Sequence, residues 1–340
     1  MTKESGVTKE PDMTREPGVA QANLESAAPQ KSRQVTWFRK HVIVVIGAVL
    51  LGAAAIFAVT RPSTPARVQP APPMRYLGVY QPDAPASYSG VNHFAQAIGR
   101  QPNLVCYYSA WLKPFQPSFA ATAAQHGATL LVQINPLNVS LAAIASGQYD
   151  AYLRTFADQV RSYRKPVILS FGHEMNGSWY SWGNTRTPPA TFKAAWRHIV
   201  QQFRSQRANN VSWLWTINII DTRGGIPAPA PWWPGSSYVN LVGIDGYYFG
   251  RSWSFAPLFG PTIRAVHALT RDPILIAETG AGHIAGQSAK IPDLFAGVRA
   301  YGLLGFVWFD AVAIQDWRLT SPAAIVAFRR AVKIYERPAS

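Results

Sequence analysis

Two glutamates carry the most suggestive chemistry in this chain. From Tyr76 to its end the 340-residue sequence has only three, Glu174, Glu278 and Glu336. Two of these directly follow short apolar runs. Glu174 follows Pro166-Val-Ile-Leu-Ser-Phe171 and Gly172-His173, and Glu278 closes Pro273-Ile-Leu-Ile-Ala-Glu278. Glutamate is depleted in strands, so chance placement at the ends of two strand-like runs is a poor account of them. After Glu174 the chain reads Met-Asn-Gly-Ser-Trp-Tyr-Ser-Trp-Gly183, rich in aromatic and amide side chains. Cleavage of a glycosidic bond requires two facing carboxyl groups, one acid for the leaving oxygen and one carboxylate at the anomeric carbon.

Other chemistries fail on spacing. His173-Glu174 begins like a zinc protease helix, but the fourth residue after His173 is Gly177 and not a second His. Gly280-Ala-Gly282-His-Ile-Ala-Gly286 has one residue too many for a dinucleotide loop. The chain contains neither a phosphate-binding Gly-x-x-x-x-Gly-Lys loop nor a Gly-x-Ser-x-Gly elbow. The single cysteine, Cys106, sits in an apolar run and reads as a buried small residue.

The elements that must position the glutamates can be read from periodicity. Eight short apolar runs recur, at Tyr76–Tyr80, Leu104–Tyr108, Thr129–Ile134, Val167–Phe171, Val211–Ile217, Leu241–Tyr247, Ile274–Ala277 and Leu304–Phe309. Most gaps between them carry helical spacing, as in Tyr149–Tyr163, Thr191–Phe203 and Ala323–Tyr335, the last opening on Ser321-Pro322. Strands apolar on both faces, alternating with helices, form a parallel sheet covered by helices. The count of eight predicts a closed (β/α)8 TIM barrel over residues 76–340. The gap from Ile219 to Val239 holds four prolines around Trp232-Trp233 and reads as a long loop with little helix.

In such a barrel the chemistry gathers at the C-terminal ends of the strands. The fourth run then delivers His173 and Glu174, the fifth Asn218, the sixth Asp245 and Tyr247, the seventh Glu278 and the eighth Trp308. Glu174 and Glu278 are 104 residues apart, consistent with three βα units and with places across the barrel mouth. Trp179 and Trp182, beside a carboxylate, read as a sugar platform. Trp232 and Trp233 read equally as packing or binding, and Asp245 equally as structural or functional.

Gly172-His-Glu-Met-Asn-Gly-Ser-Trp-Tyr-Ser-Trp-Gly183 resembles the acid/base signature of glycoside hydrolase family 26, which includes β-mannanases and some β-1,3-1,4-glucanases. Pro234–Tyr247, Ile276-Ala-Glu-Thr-Gly280, Trp308-Phe-Asp310 and Asp316-Trp-Arg318 resemble its sixth strand, its nucleophile strand, its eighth strand and the loop that follows. The resemblance covers about Tyr76 to Tyr335. It implies a retaining barrel enzyme without metal or organic cofactor, with Glu174 as acid/base and Glu278 as nucleophile. It further implies that His173 supports the acid, that Tyr247 hydrogen-bonds the nucleophile, and that Trp179 and Trp308 line sugar subsites. Many β-mannanases carry Arg-Pro shortly before the His-Glu pair, where this chain reads Leu169-Ser-Phe-Gly172.

Residues 1 to about 36 are polar, with almost no large apolar side chain, and residues 1–41 are expected to be a disordered cytoplasmic tail. Residues 42–60 are an uncharged run behind Arg39-Lys40, long enough at ~1.5 Å per residue to cross roughly 28 Å of hydrocarbon. The length of the run favours an uncleaved signal-anchor helix in the cell membrane over a cleaved signal peptide, and the positive-inside rule then puts the barrel outside the cytoplasm. Residues 61–75 form a proline-rich linker. The chain's formal charge is +15, and residues 76–340 hold 22 Lys and Arg against 12 Asp and Glu. No nucleic-acid-binding motif accompanies that excess, so contact with an anionic cell-wall polymer is the simpler expectation. The function expected is a membrane-anchored retaining endo-β-glycanase acting on a polysaccharide, β-1,4-mannan first and β-1,3-1,4-glucan second. The alternative is a catalytically inactive polysaccharide-binding or envelope scaffold on the same barrel.

Overall fold

The computed structural model describes residues 74–335. The expected tail, the Val42–Thr60 run and nearly all of the linker lie outside these residues. Among the described residues no helix is long and apolar enough to cross a membrane.

Eight parallel strands close into a barrel in sequence order. They are β1 (Tyr76–Tyr80), β2 (Leu104–Ala110), β3 (Thr129–Asn135), β4 (Val167–Phe171), β5 (Val211–Asn218), β6 (Leu241–Asp245), β7 (Ile274–Thr279) and β8 (Gly305–Phe309). The ring closes where β1 pairs with β8, from Tyr76 opposite Gly305 to Tyr80 opposite Phe309. The helices are α1 (Ser89–Ile98), α2 (Pro117–Gln125), the short α3 (Leu141–Ala145), α4 (Asp150–Tyr163), α5 (Pro189–Ser205), α6 (Phe255–His267), α7 (Gln287–Ala300) and α8 (Pro322–Tyr335). They pack on the outside. In α4, Leu153, Phe156, Ala157 and Val160 are buried, the 3- and 4-residue spacing of one helical face. In α8 the buried face runs through Ala324, Phe328, Ala331 and Val332, while Val326 is exposed.

Because side chains alternate along a strand, the barrel has two cores. Leu104, Cys106, Leu131, Ile168, Leu214, Leu275, Ala277 and Val307 fill its inside. Their neighbours Val105, Leu130, Leu169, Trp215, Ile276 and Phe306 face the helices. Further along the same inward rows, toward the C-terminal end, lie Gln133, Ser170, Thr216 and Asp245, all fully buried. The inside thus turns polar on approaching the mouth, and Ser170 Oγ lies 2.9 Å from Thr216 Oγ1 across β4 and β5.

No α-helix follows β5. The stretch from Ile219 to Val239 forms two single 3-10 turns, Ala230–Trp232 and Ser236–Tyr238. Trp232 is buried and Trp233 packs edge-on against the outward Trp215, ring centroids 5.0 Å apart. Trp196 and Arg197 of α5 donate hydrogen bonds to the Tyr238 and Pro234 carbonyls. The two tryptophans therefore cover β5 where a helix would otherwise lie, and packing explains them both.

Candidate active site

Glu174 owes its place to a turn directly after β4. Gly172 has φ +54°, and a Cβ there would also press on the Phe192 ring at 3.2 Å. Two residues on, Glu174 itself adopts φ +55°. For a residue with a side chain that conformation costs on the order of 1 kcal/mol or more, the kind of strain that concentrates at functional sites. Several bonds hold it there. The Glu174 N–H donates to the Thr216 carbonyl at 3.0 Å. Trp179 Nε1 donates to Glu174 Oε2 at 2.7 Å, and Asn218 Nδ2 donates to Oε1. The Trp179 ring lies over Gly177, where a Cβ would collide with it at 2.3 Å. Glycine at 177 is what lets the indole fold back onto the acid.

Asn218 is itself gripped. Asn176 mimics a peptide group toward the end of β5, accepting from the Asn218 N–H at 2.9 Å and donating to its carbonyl at 2.9 Å. Asn184 in turn donates to the Asn176 carbonyl at 2.5 Å.

Glu278 reaches the mouth through a register irregularity. Ile244 of β6 pairs with Ile276, but the next residue, Asp245, pairs with Glu278. On the other side Ile276 pairs with Phe306 and Thr279 with Trp308. One extra residue in β7 turns Glu278 from the helix-facing row of Ile274 and Ile276 to the inward face. There Tyr108, from β2, donates to Glu278 Oε1, and Tyr247 donates to Oε2 at 2.8 Å. Glu174 is 6 % exposed and Glu278 4 %, so both are screened from bulk water.

His173 precedes Glu174 in the chain and brings its ring near Glu278. Its Nδ1 is 3.0 Å from Asn135 Oδ1 and its Nε2 3.0 Å from the Tyr180 hydroxyl. Complete burial pushes its pKa down to about 3. The neutral ring satisfies both contacts if Nδ1–H donates to Asn135 and Nε2 accepts from Tyr180. Its Nε2 is also 3.9 Å from Glu278 Oε1, which for a neutral imidazole is no ion pair.

One oxygen each from Glu174, Asp245 and Glu278 can be chosen so that all lie within 4.8 Å of one another. Such a triad could coordinate a cation, and two of its members could equally work across a bond held between them. Half-buried aromatic rings border it. Tyr80 packs edge-on against Tyr108 at 4.9 Å and stacks on Phe309 at 4.6 Å, and Tyr247 lies 4.7 Å from Trp317.

His173, Glu174, Trp179, Asn218, Asp245, Tyr247 and Glu278 are thus brought together. Trp308 is not. It follows Val307 on the alternating strand, so it faces outward, fully buried, with its ring against Phe328 and its Nε1–H donating to the Trp317 carbonyl. It cannot line a sugar subsite, and the inward neighbour Phe309 borders the site instead. Trp182 is also fully buried, stacked on Tyr180 at 4.3 Å with its Nε1–H on the His173 carbonyl, and supports the turn from behind. Tyr80, Tyr108, Asn135 and Asn176 were not anticipated. The first three sit at the C-terminal ends of β1, β2 and β3, and reading those strand ends as the later ones were read would have found them.

Comparison with known proteins agrees with this geometry. Residues 126–286, which span both glutamates, match the model of the family described as Glycosyl hydrolase family 26. Endoglucanase H of Acetivibrio thermocellus is 32% identical over 266 residues, covering 72% of this chain and 29% of that protein. Mannan endo-1,4-beta-mannosidase A and B of Caldalkalibacillus mannanilyticus is 29% identical over 98 residues, covering 27% of this chain and 18% of that protein. The chain spans less than a third of the length of these curated relatives. Among solved structures, a GH26 beta-mannanase from Bacteroides ovatus superposes with TM-score 0.55 at 16% identity, covering 78% of this chain and 87% of that one, a likeness of fold. A family match running from β3 past β7, a relative alike over most of the barrel and a shared fold lead to one conclusion: the chain belongs to glycosyl hydrolase family 26.

Proposed function

We propose that the protein is an endo-β-glycanase that cleaves its polysaccharide by double displacement, with Glu174 as acid/base and Glu278 as nucleophile. The observation that carries the proposal is the pair itself, two carboxylates at the mouth with oxygens within 4.8 Å of one another. Carboxyl groups about 5–5.5 Å apart suit a retaining enzyme, whereas an inverting one leaves room for water at ~6.5–9.5 Å. In the first step a Glu278 oxygen attacks the anomeric carbon while Glu174 gives its proton to the departing glycosidic oxygen. In the second, the Glu174 carboxylate takes a proton from water as that water attacks the same carbon, and Glu278 leaves. Tyr108 and Tyr247 orient Glu278 and favour its ionised form by donating to it. A carboxylate oxygen can accept more than one hydrogen bond, so these donors do not bar attack. Trp179 offers a half-buried indole beside the acid, suited to the apolar face of a sugar.

The endoglucanase named above matches 72% of the chain, while matches to two mannan endo-1,4-beta-mannosidases cover 27% and 49% of it. That extent supports a β-glucan, with mixed β-1,3-1,4 linkage, ahead of the β-1,4-mannan expected first from the sequence. The Val42–Thr60 run supports a membrane anchor with the barrel on the extracytoplasmic side. Incubating the protein with mixed-linkage glucan, mannans, xylans and cellulose tests the activity. Reducing ends should appear fastest from mixed-linkage glucan. Release from none, together with retained polysaccharide binding, would mean an inactive scaffold.

A further inference from the structure

The two ends of the barrel differ in charge. Every turn leading into a strand lies at the N-terminal end, opposite Glu174 and Glu278. Those turns expose Arg75, Arg100, Arg164, Lys165, Arg207 and Arg271 and hold one acid, Asp272. The loops of the catalytic end expose cations too, Lys113, Arg186, Arg223, Arg251 and Arg318, but there Asp83, Asp221, Asp310 and Asp316 offset all but one of them, while Glu174, Asp245 and Glu278 lie buried in the mouth.

Helix dipoles offer a simpler reason, since cations favour helix C-termini, which all point to this end. The same rule would place acids in the first turns at the other end, and only α4 has one, Asp150. Arg75, Lys165 and Arg271 also lie outside the helices, beyond their caps. Arg164 and Arg207 have φ +62° and +56°, where Gly or Asn is the unstrained choice. The cations are thus more numerous, and less conveniently placed, than helix capping requires.

The tether joins the same end. Because β1 begins at Tyr76, residues 1–73 attach to the basic face. From the uncharged Val42–Thr60 run to the first described residue there are 13 residues, a reach of at most roughly 45 Å fully extended. We propose that the N-terminal end of the barrel docks on an anionic lipid surface, so that the Glu174–Glu278 mouth faces away from the bilayer toward the polymer. This rests on the anchor reading for its tether but not for its charge.

The full chain can test it with one reporter at each end, from Gln101→Cys in an exposed α1–β2 turn and Ala313→Cys in the exposed β8–α8 loop, with Cys106 buried. Each is labelled with a donor dye and mixed with vesicles carrying acceptor lipid. Vesicles of phosphatidylcholine alone are compared with vesicles holding about a third phosphatidylglycerol. In anionic vesicles, transfer from position 101 should rise and transfer from 313 should fall. About 1 M salt, with a screening length of ~3 Å, should reverse both changes. So should the combined Arg100→Gln, Lys165→Gln and Arg271→Gln variant, whose activity on soluble glycan should match that of the parent. Equal transfer from 101 in both vesicles would overturn the proposal. So would a rise at 313, or binding of soluble polyphosphate with no response to vesicle charge. If the chain fails to float with phosphatidylcholine vesicles, the anchor reading falls, and the label at 101 still reports whether anionic lipid binds this face.

Discussion

Removing the Tyr108 or Tyr247 hydroxyl should make Glu278, the proposed nucleophile, harder to ionise. Both donate to Glu278, one to each oxygen. A hydrogen bond to a charged group contributes roughly 1.5–3 kcal/mol. Both tyrosines are half-buried, so water can replace part of the lost bond and the lower end of that range applies. About 1.4 kcal/mol equals one pH unit. Tyr108→Phe or Tyr247→Phe should therefore move the acidic limb of kcat/KM upward by about one unit, and the double variant by about two. The sign follows from the donors favouring the carboxylate, so that without them it protonates at higher pH. Phenylalanine preserves the ring contacts, Tyr108 against Tyr80 and Tyr247 against Trp317. The assay is initial rate on soluble glucan from pH 3 to 9, a range set to bracket carboxylate titration at roughly pH 4 and any upward shift. A uniform drop in rate with an unmoved acidic limb would refute the reasoning, since the hydroxyls would then not act through the charge on Glu278.

Trp308→Ala should cost about 3–5 kcal/mol of stability, read as a lowered Tm, with little change in KM, whereas Trp179→Ala should raise KM and lower kcat at nearly unchanged Tm. Asn176→Ala strips the Asn218 backbone of its partner, and a loss of about 1–3 kcal/mol in urea unfolding should accompany reduced kcat. His173 is held neutral by burial, its pKa depressed to about 3 against an ordinary value of 6.5. The unfolded chain therefore binds the extra proton first. The contribution is complete above pH 6.5 and is lost as pH falls toward 3, by up to about 1.4 kcal/mol per unit. His173→Gln should flatten that slope in denaturation at pH 7 and pH 4.5, and an unchanged slope would sink the assignment.

The barrel was legible because its eight strands are short apolar runs at regular spacing, and the missing helix after β5 was legible from its prolines. The inward turn of Glu278 was not. Strict alternation from Ile274 and Ile276 points it at the helices, and only pairing with both neighbours reveals the extra residue in β7. Trp308 fails for the related reason that proximity to a strand end says nothing of facing, and one position separates it from Phe309. The end of the second apolar run places Tyr108 near the mouth, but nothing local in Val105-Cys-Tyr-Tyr-Ser109 says that its hydroxyl bonds a residue 170 positions away.

The division of roles between the glutamates is tested most directly by azide. Glu174→Ala, given a glycoside with an activated leaving group, should form the glycosyl-enzyme without a proton and then stall, and azide should release it as the β-glycosyl azide. Glu278→Ala cannot form that intermediate, and azide attacking directly should give the α anomer. Proton nuclear magnetic resonance of the two products distinguishes them. The same anomer from both variants, or full activity on the natural polysaccharide in either, would contradict the account.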